Sequence, residues 1–416
     1  MGNTLRRLVP AFLFFYFLAL PVFLEAFDFG VILDQGLSVS GREGSDFNFD
    51  SDFDHNASII PRFSALLGDN AELYLSANFG FTRRGSEWVF TPEFLRNELS
   101  WRSGFNDFSV GRMFYNDPLN IAVAGLFDGL RFSRRTRHGI FGAGIWYTGF
   151  LYKNRANIAM TPEDIACLNI DVDFNDLFGT YFASRRLMAA LTWEHPAIGE
   201  WLRLEAALLG QADLNNRYRA YHNQYLMFKA SAQFGRFIFE LGGAVEAAQA
   251  VLGNETELQF AFAGDLGLHW MIPSRFHSML SLTGRLTSGY EEGRPVSAFI
   301  PIVAMPYGSV LEAEIPGLSV FSLNYLIRLY RAFAVILNAS HFVRSDLGTF
   351  SAYPLNEDDS GAYFLGTEFF GRFIWSPFSD VSFNLGGGVF LPSLGNAAPG
   401  ASMRWRVDMN VILSLF

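Results

Sequence analysis

The last fourteen residues, Met403 to Phe416, read MRWRVDMNVILSLF, and their alternation restricts the fold more than any other stretch. Met403, Trp405, Val407, Met409, Val411, Leu413 and Leu415 share one parity. Arg404, Arg406, Asp408, Asn410 and Ser414 share the other, with Ile412 and Phe416 as apolar exceptions. Successive side chains of a strand point to opposite faces, so one face is oily and the other charged. A soluble sandwich would cover the oily face with a second sheet. Here the same alternation recurs through most of the chain, and no helical segment answers it.

Half of the 416 residues are apolar and 16% are aromatic, an oiliness that would also suit membrane helices. Beyond the N-terminus, however, no uncharged apolar run reaches the roughly 18 residues that a spanning helix needs. A chain that crosses lipid without such helices has to close its sheet, because an open edge leaves backbone N–H and C=O groups unpaired. The reading is all-β: a transmembrane antiparallel β-barrel with outer-membrane lipid outside and a wet lumen inside. Residues 1–26 supply the route. Arg6 and Arg7 precede AFLFFYFLALPVFL and then Leu24-Glu25-Ala26, a pattern that predicts a secretory signal cut after Ala26. Residues 27–416 are then the barrel.

Alternation and turn residues predict eighteen strands. They are 27–40, 57–67, 71–83, 88–102, 105–115, 127–136, 139–152, 180–195 and 201–212 in the first half. The second half gives 222–234, 236–249, 256–271, 276–288, 317–330, 332–344, 362–376, 380–390 and 402–416. Even-numbered joints are tight, as at Gly68-Asp69-Asn70, Ser103-Gly104, Arg137-His138, Gly235 and Arg331. Odd-numbered joints are mostly long, with 41–56, 153–179, 289–316 and 345–361 the largest. Short periplasmic turns and long extracellular loops are the habit of outer-membrane barrels.

The two faces separate strand by strand. Leu258, Phe260, Phe262, Leu266, Leu268 and Trp270 oppose Glu257, Gln259, Asp265 and His269. Phe237, Phe239, Leu241 and Val245 oppose Glu240 and Glu246, and Leu202, Leu204 and Leu208 oppose Arg203 and Glu205. Leu95, Leu99 and Trp101 oppose Arg96 and Glu98. Arg131, Arg186, Lys229, Arg285, Glu368 and Arg372 join Arg404, Arg406 and Asp408 as inward candidates. A charge facing mid-membrane lipid costs about 2–4 kcal/mol for Arg or Lys, which directs these side chains inward. Arg112 breaks the rule by falling in phase with Phe108 and Val110; a bulge or a place above the lipid band would explain it. Inward charges can screen solutes or brace neighbouring strands. Arg96, Arg131, Arg404 and Arg406 are expected on one side of the pore and Glu205, Glu240, Glu246 and Glu257 opposite, giving a field across it.

Other chemistry finds little support. The formal charge is −10, with acid gathered at 42–54, 153–176 and 346–361 and no basic cluster for nucleic acid. The seven His do not cluster, HExxH and G-x-S-x-G are lacking, and the chain carries one cysteine, Cys167. No enzyme, cofactor or metal is read from it. DSDFDHN (Asp50–Asn56) lacks the Gly and terminal Glu of a helix-loop-helix calcium site and reads as a solvated acidic loop.

SVGRMFYNDPLNIAVAGLFDGLRFSRR (Ser109–Arg135) resembles a strand-loop-strand unit of large outer-membrane porin-type channels. FLGTEFFGRFIWSPFSDVSFNLGGGVFLPS (Phe364–Ser393) is similar to the late hairpin of the alginate-export family. The resemblance implies an eighteen-stranded barrel conducting an anionic polysaccharide, with Arg112, Arg131 and Glu368 as matching charges. The balanced inward face departs from that pattern. The expected role is a porin-like channel for small hydrophilic solutes or carbohydrates, delivered by the outer-membrane assembly machinery. The alternatives are a structural or adhesive surface barrel, or a specific transporter of an oligosaccharide or apolar ligand. Loops folded inward would favour a channel with a constriction.

Overall fold

The computed structural model describes residues 26–45, 52–84, 87–215, 219–253, 255–289, 296–314, 316–347 and 360–415. The segment read as a secretory signal and most of the acidic loop 345–361 lie outside them. Eighteen strands form one antiparallel sheet. The first nine are β1 (Ala26–Arg42), β2 (Phe53–Leu67), β3 (Ala71–Arg84), β4 (Glu87–Ser103), β5 (Asn106–Asn116), β6 (Ala124–Thr136), β7 (Gly139–Tyr147), β8 (Arg186–Ile198) and β9 (Leu202–Asp213). Then come β10 (Arg219–Phe234), β11 (Phe237–Leu252), β12 (Glu255–Ile272) and β13 (Ser278–Thr287). A two-stranded ribbon, β14 (Pro306–Tyr307) and β15 (Ala313–Glu314), stands apart from the barrel. β16 (Leu318–Tyr330), β17 (Phe333–Arg344), β18 (Phe364–Phe378), β19 (Val381–Leu391) and β20 (Arg404–Leu415) complete the wall. Each barrel strand pairs with the next, and β20 closes on β1 from Val31 opposite Leu415 to Arg42 opposite Arg404.

Lipid imposes the alternation. Leu208, Leu241, Val245, Phe262, Leu266, Val407 and Met409 are all exposed on the outer parity, while Ala207, Ala244, Ala261 and Ala263 are buried on the inner one. Several short turns rest on a glycine in the left-handed region, among them Gly68, Gly104 and Gly235.

The structure corrects four boundaries and one face. The strand expected at 139–152 stops at Tyr147, and that expected at 180–195 starts at Arg186 and runs on to Ile198. Between them Thr148 turns the chain, its hydroxyl donating to the Ser184 carbonyl at 2.5 Å. The 148–185 connection contains the helices Lys153–Ala156, Pro162–Asn169 and Leu177–Thr180. Pro162 opens the second, behind a Thr161–Asp164 capping box. In β4 the register slips so that Ser76 faces Arg96 and Ala77 faces Phe94. Leu95 is the extra residue of a bulge, and Phe94, 65% exposed, takes the lipid-side place expected of Leu95. Finally, Asp54 to Asn56 belong to β2, opposite Ser38 to Gly36, and are not loop.

Candidate pore constriction

Among the described residues, three connections fold into the barrel: 117–123, 148–185 and the segment 296–314 of the 288–317 connection. Asp117 starts the first. Its buried carboxylate accepts N–H bonds from Leu119 at 2.8 Å, Ala122 at 2.9 Å and Val123 at 2.8 Å, with Ile121 at 3.2 Å. Burial pushes the Asp117 carboxyl above its usual range, and these four bonds pull against that. The turn drives Leu119, Ile121 and Val123 into an apolar cluster with Trp146, Phe299 and Ile302. Alanines of the wall, such as Ala207, Ala244 and Ala263, leave room for it. The connections also join one another. Ile302 N–H donates to the Ala122 carbonyl at 2.8 Å, and Ala304 N–H to that of Asn157 at 2.8 Å.

The wall holds this plug with charges. Glu246 of β11, fully buried, accepts from Asn223 Nδ2 at 2.9 Å, the Tyr221 hydroxyl at 3.3 Å and Ile300 N–H at 2.9 Å. Tyr225 donates its hydroxyl to the Ile300 carbonyl at 2.5 Å. Arg285 of β13 pairs with Asp265 at 2.9 Å and donates to the carbonyls of Leu119 at 2.6 Å and Asn120 at 3.0 Å, and to the Tyr307 hydroxyl. Glu368 of β18 accepts three successive backbone N–H groups, from Ser309 at 2.6 Å, Val310 at 3.0 Å and Leu311 at 2.9 Å. Arg186 of β8 is buried between Asp164 at 2.5 Å and Asp213 at 3.3 Å. Asp164 is thus both the N3 member of the Thr161 capping box and the ionic anchor of the 148–185 connection.

The remaining inward candidates form local pairs. Arg96 meets Glu98 at 2.6 Å, with Arg131 at 3.9 Å from the same carboxylate. Arg203 lies 3.1 Å from both Glu194 and Glu205, and Lys229 lies 3.4 Å from Glu240. Arg372 reaches Asp408 at 3.9 Å, and Arg406 pairs with Glu312 of the inward loop. Arg404 stands in register opposite Arg42 and Phe390, and Glu257 is exposed near the start of β12. The expected positive wall facing a negative wall therefore gives way to neighbouring pairs of opposite sign. The pairs are unequal, though not all in one direction, since Glu240 is more exposed than Lys229 and Asp265 more than Arg285. Side-chain exposure is 45% for Arg96 against 6% for Glu98, and 49% for Arg203 against 19% for Glu205. Arg155, which sequence reasoning missed, is 46% exposed against 3% for its partner Glu93.

Arg112, the exception to the alternation, is buried. It pairs with Asp128 at 2.7 Å and donates to the carbonyls of Phe94 at 2.5 Å and Phe150 at 3.0 Å. A charge so satisfied is tolerated where a bare one is not.

Three cavities lie along the inner wall. One of about 460 Å³ is lined by Asp69, Glu72, Glu98 and Arg131. The next, about 440 Å³, shares Arg131 and adds Glu194, Arg203 and Glu205. The third, about 320 Å³, lies between the loop tip Gly308–Glu312 and a wall bearing Asn56, Arg372, Arg406, Asp408 and Asn410.

No family model matches the chain, and no curated protein does. Solved structures do. The chain is similar to OccK1 (OpdK) of Pseudomonas aeruginosa, with a TM-score of 0.60 and 11% identity over 94% of this chain and 99% of that one. A structure of OpdK with vanillate gives the same score, identity and coverage. OccK2 (OpdF) of the same organism, in complex with glucuronate, gives 0.60 and 11% over 95% of this chain and 100% of that one. The fold is that of an outer-membrane porin. The resemblance to the alginate-export family expected from the late hairpin is not shown by these likenesses.

Asp117, Asn223, Tyr225 and Glu312 also escaped the sequence reading. Asp117 alone carried a local signal, the turn-forming pair Asp117-Pro118.

Proposed function

We propose that the protein is an outer-membrane channel for small polar solutes, favouring those that bear a carboxylate. The observation that carries this is the inequality of the lumen pairs. The guanidinium groups of Arg96, Arg131, Arg155, Arg203 and Arg372 are each more exposed than the carboxylates they pair with, whereas Lys229–Glu240 and Arg285–Asp265 lean slightly the other way. The part of the wall that carries these arginines then presents positive charge to water, and local fields of one sign concentrate solutes of the other. The inward loops supply a constriction, and Arg96, Arg131, Arg203 and Arg372 line the way to it. Support also comes from the fold: OpdK was solved with vanillate and OccK2 with glucuronate, both carboxylates. Residues 1–26 act as the secretory signal in this reading, and the role is passage without catalysis.

The test is reversal potential across a planar bilayer in a salt gradient, with heat-modifiable gel migration as the folding control. An anion preference is expected, reduced when Arg96, Arg131 and Arg203 become Ser. Cation preference would overturn the carboxylate reading. Folded protein that passes no current would favour a structural surface barrel.

A further inference from the structure

We infer that Glu312 is a built-in competitor for Arg406, an anion on the loop tip that a small organic acid displaces as it passes. The inference rests on the channel reading above. Glu312 follows Ser309–Leu311, which Glu368 grips by three N–H bonds, and precedes Ala313 of the β14–β15 ribbon. Its φ is 50°, a left-handed conformation uncommon outside glycine. Such a backbone persists where its surroundings impose it. Here the Glu368 clamp holds one side and the ribbon the other. The consequence is that the Glu312 carboxylate reaches the guanidinium of Arg406 on β20, beside the 320 Å³ cavity.

In this pair the carboxylate is the open member, as it is less markedly in Lys229–Glu240 and Arg285–Asp265. Glu312 is 53% exposed and Arg406 24%, so the anion, not the cation, is the accessible partner. An exposed ion pair is weak, so a competing carboxylate replaces it at little cost. Arg372 lines the same cavity 3.9 Å from Asp408 and gives an arriving carboxylate a second cation. Asn56, Asn410 and Ser309 offer hydrogen bonds to the rest of a small polar molecule. The ligand class is a monocarboxylate of small size. Glu312 sets which anions proceed, because each has to outcompete it.

The experiment uses full-length protein in planar bilayers, reading the chloride-to-potassium permeability ratio and the block of current by added glucuronate. Glu312→Gln should raise both the ratio and the glucuronate affinity by about two- to fivefold, the equilibrium worth of one exposed ion pair. Glu312→Gly should do the same, since glycine accepts the backbone conformation without strain. The gain should vanish in Glu312→Gln combined with Arg406→Ser. A channel closed in the native protein and opened by Glu312→Gln would also support the competitor. An anion-selective native channel that neither variant changes would overturn the inference and leave the channel reading intact. Absence of current from native and variant proteins, all shown to be folded, would overturn both.

Discussion

Glu368 and Ser309 meet at 2.6 Å, a barrel-strand carboxylate accepting the backbone N–H of a loop residue 59 positions away. Glutamine at this place keeps one acceptor oxygen for three donors and turns an NH₂ toward another N–H. Glu368→Gln should therefore loosen the 308–312 tip by about 1–3 kcal/mol, the cost of stranding buried donors. Faster protease cleavage within 305–314 and noisier single-channel current, with unchanged barrel migration on gels, are the expected readings.

Arg186 makes a second clamp testable. Replacing it with Met leaves Asp164 and Asp213 buried without their cation, a change that costs about 3–5 kcal/mol when one member of a buried pair is removed. The barrel has many other contacts, so the loss should fall on the 148–185 connection. Hydrogen exchange should rise across the helix Pro162–Asn169 while the amides of β8 and β9 stay protected.

The lipid face has its own test. Phe262→Arg and Met409→Arg each place a charge among exposed outer side chains, at about 2–4 kcal/mol near the membrane midplane. Both should lower the yield of heat-modifiable, membrane-inserted protein. Glu257→Gln, on the opposite parity, should insert as the native chain does. Normal insertion of Met409→Arg would mean that β20 faces the other way.

Orientation follows from loop length. An epitope inserted at Asn175, in the longest connection, should be detected on intact cells, and one at Asn70 only after the envelope is opened. The reverse labelling would place the long connections in the periplasm.

All eighteen barrel strands were legible because lipid writes the same period of two into every strand. Reading failed where that influence stops. Leu95 was misplaced because its bulge has no turn residue to announce it, and one extra residue moves the face of everything before it. The strands flanking 148–185 were misjudged because aromatic residues such as Tyr147 and Tyr152 suit strand and lumen loop alike. The inward folding of the connections left no trace beyond the turn signal of Asp117-Pro118. Glu246 and Glu368 look like any other inward charge in sequence, and their decisive partners are amides of Ile300 and Ser309, which no side-chain pattern marks. The inward face was correctly assigned for Arg203 and Glu205, yet which partner stands open to water depends on neighbouring strands.

The grips on the 288–317 connection by Glu246 and Glu368 take hold of main-chain amides, groups that every residue except proline carries. Substitutions along Ile300 and Ser309 to Leu311 therefore alter what protrudes into the passage without removing what fastens it. In a lineage of such barrels, the lattice of strands and its few carboxylate hooks can be inherited unchanged while the sieve is rewritten. Change in what the inward loops present, on this footing, needs no new architecture.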